Sequence, residues 1–175
     1  PDRGIALLVG GGLGIGVEDS VAEALDALPE DVQLVAVCGR NDAARERLAA
    51  RSIPTDRLRV LGHVEGLGGL LAAADVVITK AGGLTTAEAL ALGRPLLLMG
   101  ALPGQEEGNM RHLVAAGAAL QATEPGALRA ALASFFADPA LRFRLGVSAR
   151  GLGRPSATRH IVTALGGGAM VRRVA

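Results

Sequence analysis

The stretch Ala74 to Pro95, ADVVITKAGGLTTAEALALGRP, decides the fold. Its first part, Val76 to Thr79, has the length and the Val and Ile content of a buried strand. Gly82 and Gly83 then supply a turn, and the composition from Thr85 to Leu92 predicts a helix. A strand, a glycine turn and a helix in this order are typical of a βαβ unit, and therefore of a parallel sheet.

The same alternation extends in both directions along the chain. The predicted strands are Ile5–Val9, Val32–Cys38, Leu58–Leu61, Val76–Thr79, Pro95–Met99 and Ala118–Gln121. The predicted helices are Val17–Leu28, Asp42–Arg51, Gly66–Ala73, Thr85–Leu92, Glu106–Ala116, Pro125–Phe136, Pro139–Gly151 and Pro155–Leu165. Because several strands are continuous Val, Ile and Leu runs, helices should cover both sheet faces. We expect an α/β fold: a Rossmann-like, doubly wound parallel sheet of about six strands, with carboxyl-terminal helices.

Composition narrows the classes of protein that this chain can represent. Its 175 residues are 50% hydrophobic, which is enough for one core, and we expect a single domain over residues 1–166 with a mobile tail at 167–175. No apolar run is long enough to span a membrane, and one cysteine, Cys38, cannot form an internal disulfide, which fits a reducing, cytoplasmic compartment. A net charge of +1, with no Trp or Tyr, argues against a nucleic-acid partner. The chain begins with Pro1 and is expected to be a piece of something longer.

In doubly wound sheets ligands bind at the carboxyl ends of the strands, so the loops there carry the functional hypotheses. The first such loop lies within LLVGGGLGIGVEDS, Leu7 to Ser20. Its glycines allow close approach to a phosphate, but they equally allow tight packing of helix on strand. No G-x-G-x-x-G spacing is present, no P-loop lysine follows, and the second strand ends at Gly39 where a dinucleotide fold has an acid. These absences argue against binding of NAD or ATP. Phosphate contact and tight packing both remain open as roles for the glycines.

The second loop opens the helix that follows Val76–Thr79. The amides of Gly83, Leu84 and Thr85 are candidates to hold a diphosphate, and Glu88 could accept hydrogen bonds from both hydroxyls of a ribose. The spacing of Thr85 and Glu88 is equally that of a capping box. Lys80 is either a solvated surface residue or a charge partner for a phosphate.

The third loop is polar and reads PGQEEGN, Pro103 to Asn109. Amides and carboxylates recognise sugars because they donate to and accept from several hydroxyls. Gln105 and Glu106 are the candidate sugar contacts, with Asn109 a further candidate. We expect Glu107 to act only as an acid at the start of a helix.

The pattern GGGLGIG, VCGRN, ADVVITKAGGLTTAEAL and PGQEEGN resembles the carboxyl-terminal, donor-binding half of the glycosyltransferases that add hexose to diacylglycerol. These are the monogalactosyldiacylglycerol synthases and the processive diacylglycerol glucosyltransferases. The resemblance covers nearly the whole chain and implies half of a two-domain, inverting GT-B enzyme that uses a UDP-hexose and needs no metal or other cofactor. The site residues that it implies are Gly12, Leu13 and Gly14 lining the cleft, Val64 at uracil, Gly83, Leu84 and Thr85 at the diphosphate, Glu88 at the ribose, and Gln105 and Glu106 at the hexose. Asn109 is a further substrate-binding candidate.

The resemblance also implies what this chain should lack. The acceptor site and the general base belong to an amino-terminal domain that is absent here, so the fragment should bind donor without catalysing transfer. Peripheral association with the inner face of the plasma membrane is expected for the intact enzyme. We assign the three histidines, His63, His112 and His160, to structure and not to catalysis.

Two other functions remain open at this point. One is a UDP-N-acetylglucosamine 2-epimerase-like enzyme, which would convert a free nucleotide sugar without a lipid. The other is a non-catalytic nucleotide-sugar-binding or partner module.

Overall fold

The computed structural model describes residues 3–14 and 16–166, which form an α/β fold around one parallel sheet. The strands are β1 Gly4–Val9, β2 Val32–Val37, β3 Leu58–Leu61, β4 Val76–Lys80, β5 Leu96–Gly100 and β6 Ala119–Gln121. The helices are α1 Val17–Ala27, α2 Asp42–Ala49, α3 Gly68–Ala73, α4 Gly83–Ala91, α5 Gln105–Ala115, α6 Ala127–Ala137, α7 Pro139–Leu152 and α8 Ala157–Gly166.

The sheet is doubly wound, as predicted. The strand order is β3-β2-β1-β4-β5-β6, and every neighbouring pair is parallel. Leu7 and Leu8 point to opposite faces and are both fully buried, because one core cluster lies beneath α1 and α6 and a second beneath α3, α4 and α5. The order reverses between β1 and β4, so the crevice at the carboxyl ends of these two strands is the expected ligand position.

Helix α7 closes the opposite end of the sheet. It contacts both α4 and α6, which belong to different faces. Methyl groups built at Gly93 and Gly117 would lie 2.9 Å from Nε of Arg150 and 3.4 Å from Oγ of Ser148, both on α7. Because these glycines lie in the turns before β5 and β6, α7 runs along the amino ends of the strands. Helix α8 follows it and has no buried residue.

The helix starts correct three details of the sequence prediction. Helix α4 begins at Gly83 and not at Thr85, because Gly82 is an extended residue (φ −71°, ψ 149°) directly before the first turn. Pro139 does open α7, but Pro125 and Pro155 lie in turns before α6 and α8. Gly126, with φ 75°, separates the first of these turns from α6. The predicted tail at 167–175 lies outside the described residues.

No helix within residues 3–14 and 16–166 combines the length and the apolarity that crossing a membrane requires.

Candidate functional site

A cleft of about 240 Å³ lies at the carboxyl ends of β4 and β5, beside the start of α1. Residues from each of the three loops that the sequence singled out contribute to it, but Glu106 is the one predicted site residue in its lining. The residues that line it are Gly16, Ser20, Lys80, Met99, Gly100, Ala101, Leu102 and Glu106. Larger hollows exist. One of about 330 Å³ lies on α7, at the other end of the sheet, away from every predicted site residue. Another, of about 320 Å³, lies beside the start of α1 and is lined in part by the predicted residues Leu13 and Gly14.

The start of α4 leaves its first amides without partners. The first intrahelical bond runs from Thr86 N to Gly82 O at 3.4 Å, and no side chain caps the helix. Within residues 3–14 and 16–166, the amides of Gly83, Leu84 and Thr85 have no acceptor. Three unpaired N–H groups and the positive end of the helix dipole make this terminus suited to an anion.

The capping-box alternative for Thr85 and Glu88 is wrong. Thr85 lies inside the first turn, because the helix starts two residues before it, so its hydroxyl is not at the capping position. Thr86, which is buried, donates its hydroxyl proton back to the carbonyl of Gly82. Glu88 is exposed, one turn beyond Leu84, and its carboxylate has no partner among the described residues. The carboxylate of Glu88 is therefore free to accept hydrogen bonds from a ligand on the helix face that it shares with Leu84.

One side chain from α5 and one backbone hydrogen bond to the end of β5 hold the turn before α4 in place. Asn109 Nδ2 donates to the carbonyl of Ala81 at 3.0 Å, and the amide of Ala81 donates to Gly100 O at 2.9 Å. Asn109 is predicted as a substrate contact. Its Nδ2 supports the turn, its Oδ1 has no hydrogen bond to a described residue, and the contact with substrate stays a prediction. Its effect on a ligand would pass through the position of Gly82 and Gly83.

The glycine loop after β1 is locked against the end of β2. A methyl built at Gly14, which has φ 60°, would lie 2.2 Å from the carbonyl oxygen of Cys38. The carbonyl of Gly12 accepts from the amide of Arg40 at 3.0 Å. Packing therefore explains Gly14, which is buried, whereas Gly12 and Leu13 are exposed and a methyl at Gly12 would meet nothing within 4 Å. The predicted cleft residues thus divide into one that shapes the loop and two that face outward.

The polar loop after β5 begins α5 at Gln105. Gly104 precedes the helix with φ 93°, and Glu107 accepts its amide at 3.3 Å through Oε2. Because Gly104 has no side chain, this is half of a capping box, and it confirms the structural role predicted for Glu107. Gln105 is exposed, and its side chain has no hydrogen bond to a described residue.

Glu106 is the most constrained side chain of the cleft. Its Oε1 pairs with the ammonium of Lys80, and its Oε2 accepts the amide of Leu102 at 2.8 Å. These two donors, Lys80 first, hold the pKa of Glu106 below its usual range. The sequence left two roles open for Lys80, a solvated surface residue or a charge partner for a phosphate. In the structure its ammonium pairs with the carboxylate of Glu106 in the cleft.

Val64 lies on the segment between β3 and α3. It is half-buried against the cluster that also contains Leu71 and Leu90, so it lies on the same side of the sheet as α4. The backbone groups of Val64 make no hydrogen bond to the described residues. Its predicted contact with uracil stays a prediction.

The three histidines take no part in the cleft. His63, His112 and His160 are exposed, and none makes a side-chain hydrogen bond to the described part of the chain. The structural role predicted for them therefore finds no contact to support it. Residues 3–14 and 16–166 also contain no group of three His, Cys, Asp or Glu side chains that could hold a metal ion.

Comparison with known proteins gives matches in sequence and in fold. The family model described as "Glycosyltransferase family 28 C-terminal domain" matches residues 5–133. The processive diacylglycerol beta-glucosyltransferase of Bacillus subtilis (strain 168) is 37% identical over 141 residues, which cover 79% of this chain and 36% of that protein. The chain therefore spans little more than a third of the length of this curated relative.

Two solved structures have a fold similar to that of this chain. Acinetobacter baumannii MurG has a TM-score of 0.68 with 25% identity, and the match covers 93% of this chain and 51% of that chain. UDP-GlcNAc 2-epimerase from Neisseria meningitidis bound to UDP-GlcNAc has a TM-score of 0.70 with 20% identity, covering 93% and 44%. At that identity the likeness to the epimerase shows a shared fold alone.

Proposed function

The chain belongs to the family of glycosyltransferase family 28 C-terminal domains, and from this premise we propose that it is the donor-binding half of an inverting hexosyltransferase. Its substrate would be a UDP-hexose, and the hexose would pass to a lipid acceptor such as diacylglycerol. The named activity of the Bacillus subtilis relative supports the acceptor class. Because a diacylglycerol is a membrane lipid, the intact enzyme would work at a membrane surface, and we propose the cytoplasmic, inner face of the plasma membrane.

One observation carries the proposal: the uncapped start of α4 with Glu88 one turn along it. A diphosphate would accept from the amides of Gly83, Leu84 and Thr85, and the ribose hydroxyls would donate to Glu88. The hexose would then extend toward Gln105 at the start of α5.

The same helix terminus gives this half a role in the transfer step. As the bond between the anomeric carbon and the diphosphate breaks, negative charge grows on the departing UDP. Amides that already point at that charge stabilise it without reorganising. The proton of the acceptor hydroxyl would be removed by a group of the other domain, since Glu106, which lines the cleft, is engaged by Lys80 and Glu88 is assigned to the ribose.

The test is calorimetric titration of the 175-residue chain with UDP in the presence of EDTA. We expect binding without metal, and we expect Glu88→Ala to weaken it by about tenfold or more, because a hydrogen bond to a charged group contributes about 1.5–3 kcal/mol. Glu46→Ala is the matched control, since Glu46 is also an exposed helical glutamate but lies on α2. Absence of UDP binding to the folded chain, or equal binding by Glu88→Ala and wild type, would refute the proposal.

The epimerase alternative makes a different demand on the intact protein. An epimerase converts UDP-sugar with no lipid present, whereas the proposed transferase requires an acceptor. Conversion of UDP-sugar alone by the full-length protein would favour the epimerase.

A further inference from the structure

The ion pair between Lys80 and Glu106 joins the two loops that the proposed function assigns to diphosphate and sugar. Lys80 is the last residue of β4, and Glu106 is the second residue of α5. Their side chains are 31% and 14% exposed, so the pair is largely shielded from water. The bond from Leu102 N to Glu106 Oε2, at 2.8 Å, fixes the carboxylate from its other side.

Two glycines show how close this pair lies to the start of α4. A methyl built at Gly82 would lie 3.7 Å from Nζ of Lys80 and 3.5 Å from Oε1 of Glu106. A methyl built at Gly11 would lie 3.5 Å from Cε of Lys80. The lysine therefore lies between the glycine loop and the turn before α4, and its ammonium borders the residue that precedes the three unpaired amides.

Charge at this position acts on any anion that those amides hold. Lys80 attracts such an anion, and the carboxylate of Glu106 repels it, so the paired site is neutral overall. In a partly shielded cleft, one uncompensated unit charge close to a bound anion changes the affinity for that anion by about tenfold.

We propose that Lys80 and Glu106 form a balanced pair that sets the affinity of the site for a nucleoside diphosphate. Lys80 is the attracting member, and Glu106 is a positioning residue that holds the ammonium beside Gly82 and limits its attraction. This inference rests on the proposed function, and it gives Glu106 a role besides the sugar contact that the sequence predicts. A limited affinity for UDP has a use, because UDP is the product that must leave after each transfer.

The experiment is calorimetric titration of the chain with UDP, which has no hexose, so a sugar contact of Glu106 contributes nothing to the result. Glu106→Gln keeps an acceptor for the amide of Leu102 while removing the charge. We expect it to tighten UDP binding by about tenfold, and we expect Lys80→Met to weaken it by about tenfold. The double variant restores a neutral site and should return to within about threefold of wild type.

Two controls separate this charge balance from general effects. Uridine, which has no phosphate, should bind every variant within about twofold of wild type, whereas damage to the site would change uridine and UDP together. Asp26→Asn makes the same change in net charge at a distant ion pair, that of Asp26 with Arg129 on α6, and should leave UDP affinity unchanged. If Lys80→Met does not fold, Glu106→Gln alone still tests the proposal.

The outcomes are distinguishable from those for the proposed function. Wild type that fails to bind UDP overturns the proposed function and this inference with it. Wild type that binds UDP, with Glu106→Gln equal to it or weaker, overturns this inference only. A gain in UDP affinity that Asp26→Asn reproduces also overturns it.

Discussion

Replacement of Gly14 by alanine should destabilise the chain through one identified collision. The added methyl would lie 2.2 Å from the carbonyl oxygen of Cys38 and 2.9 Å from Cβ of Asn41, where ordinary contact needs more than 3.4 Å. The residue also has φ 60°, a conformation that costs an L-residue about 1–2 kcal/mol. Forcing the loop away from β2 adds about 1–3 kcal/mol, so we expect a loss of about 2–5 kcal/mol in the free energy of unfolding.

Gly16 provides the matched control for this measurement. It has φ 74°, but a methyl built there meets nothing within 4 Å, so Gly16→Ala carries the backbone cost without the collision. Urea denaturation of both variants and wild type would give the two free energies of unfolding. Equal losses in Gly14→Ala and Gly16→Ala would refute the argument, because the contact with Cys38 would then contribute nothing.

Two further predictions concern the side chains around the cleft. The pKa of Glu106 is held below its usual range, so its ion pair stabilises the fold fully above about pH 4.3 and loses that contribution as the pH falls through the lowered pKa. Urea denaturation of wild type and Glu106→Gln gives the difference in their free energies of unfolding. This difference should stay constant from about pH 7 to 5 and shrink at lower pH. A difference that grows on acidification would contradict this. Asn109→Ala removes the bond to the carbonyl of Ala81 and should cost about 1 kcal/mol of stability, and it should also weaken UDP binding in calorimetry; weaker UDP binding with unchanged stability would instead indicate a direct contact with the ligand.

The sequence was sufficient to predict the strands of the sheet, but it did not predict where α4 begins. Continuous Val, Ile and Leu runs identify the strands because burial on both faces leaves no alternation to misread. The start of α4 was misplaced because Thr85 and Glu88 have the spacing of a capping box, whereas the backbone of Gly82 sets the boundary without any side chain.

The candidate site shows the same division between local and distant information. Each of its loops could be found from glycines and polar residues next to a strand. The pairing of Lys80 with Glu106 could not, because the two are 26 residues apart and meet only when β4 and β5 lie side by side. Likewise, nothing local in the sequence assigns Asn109 to the carbonyl of Ala81.

Helix α7 has a consequence for how the domain opens. It contacts α4 on one face of the sheet and α6 on the other, and its buried Leu145 and Ala149 belong to different core clusters. Local unfolding of α4 must therefore release α7 as well, which raises its free-energy cost toward that of global unfolding. The amides of α4 beyond its first turn should exchange their hydrogens as slowly as those of the central strands. In contrast, α8, with no buried residue, should exchange early.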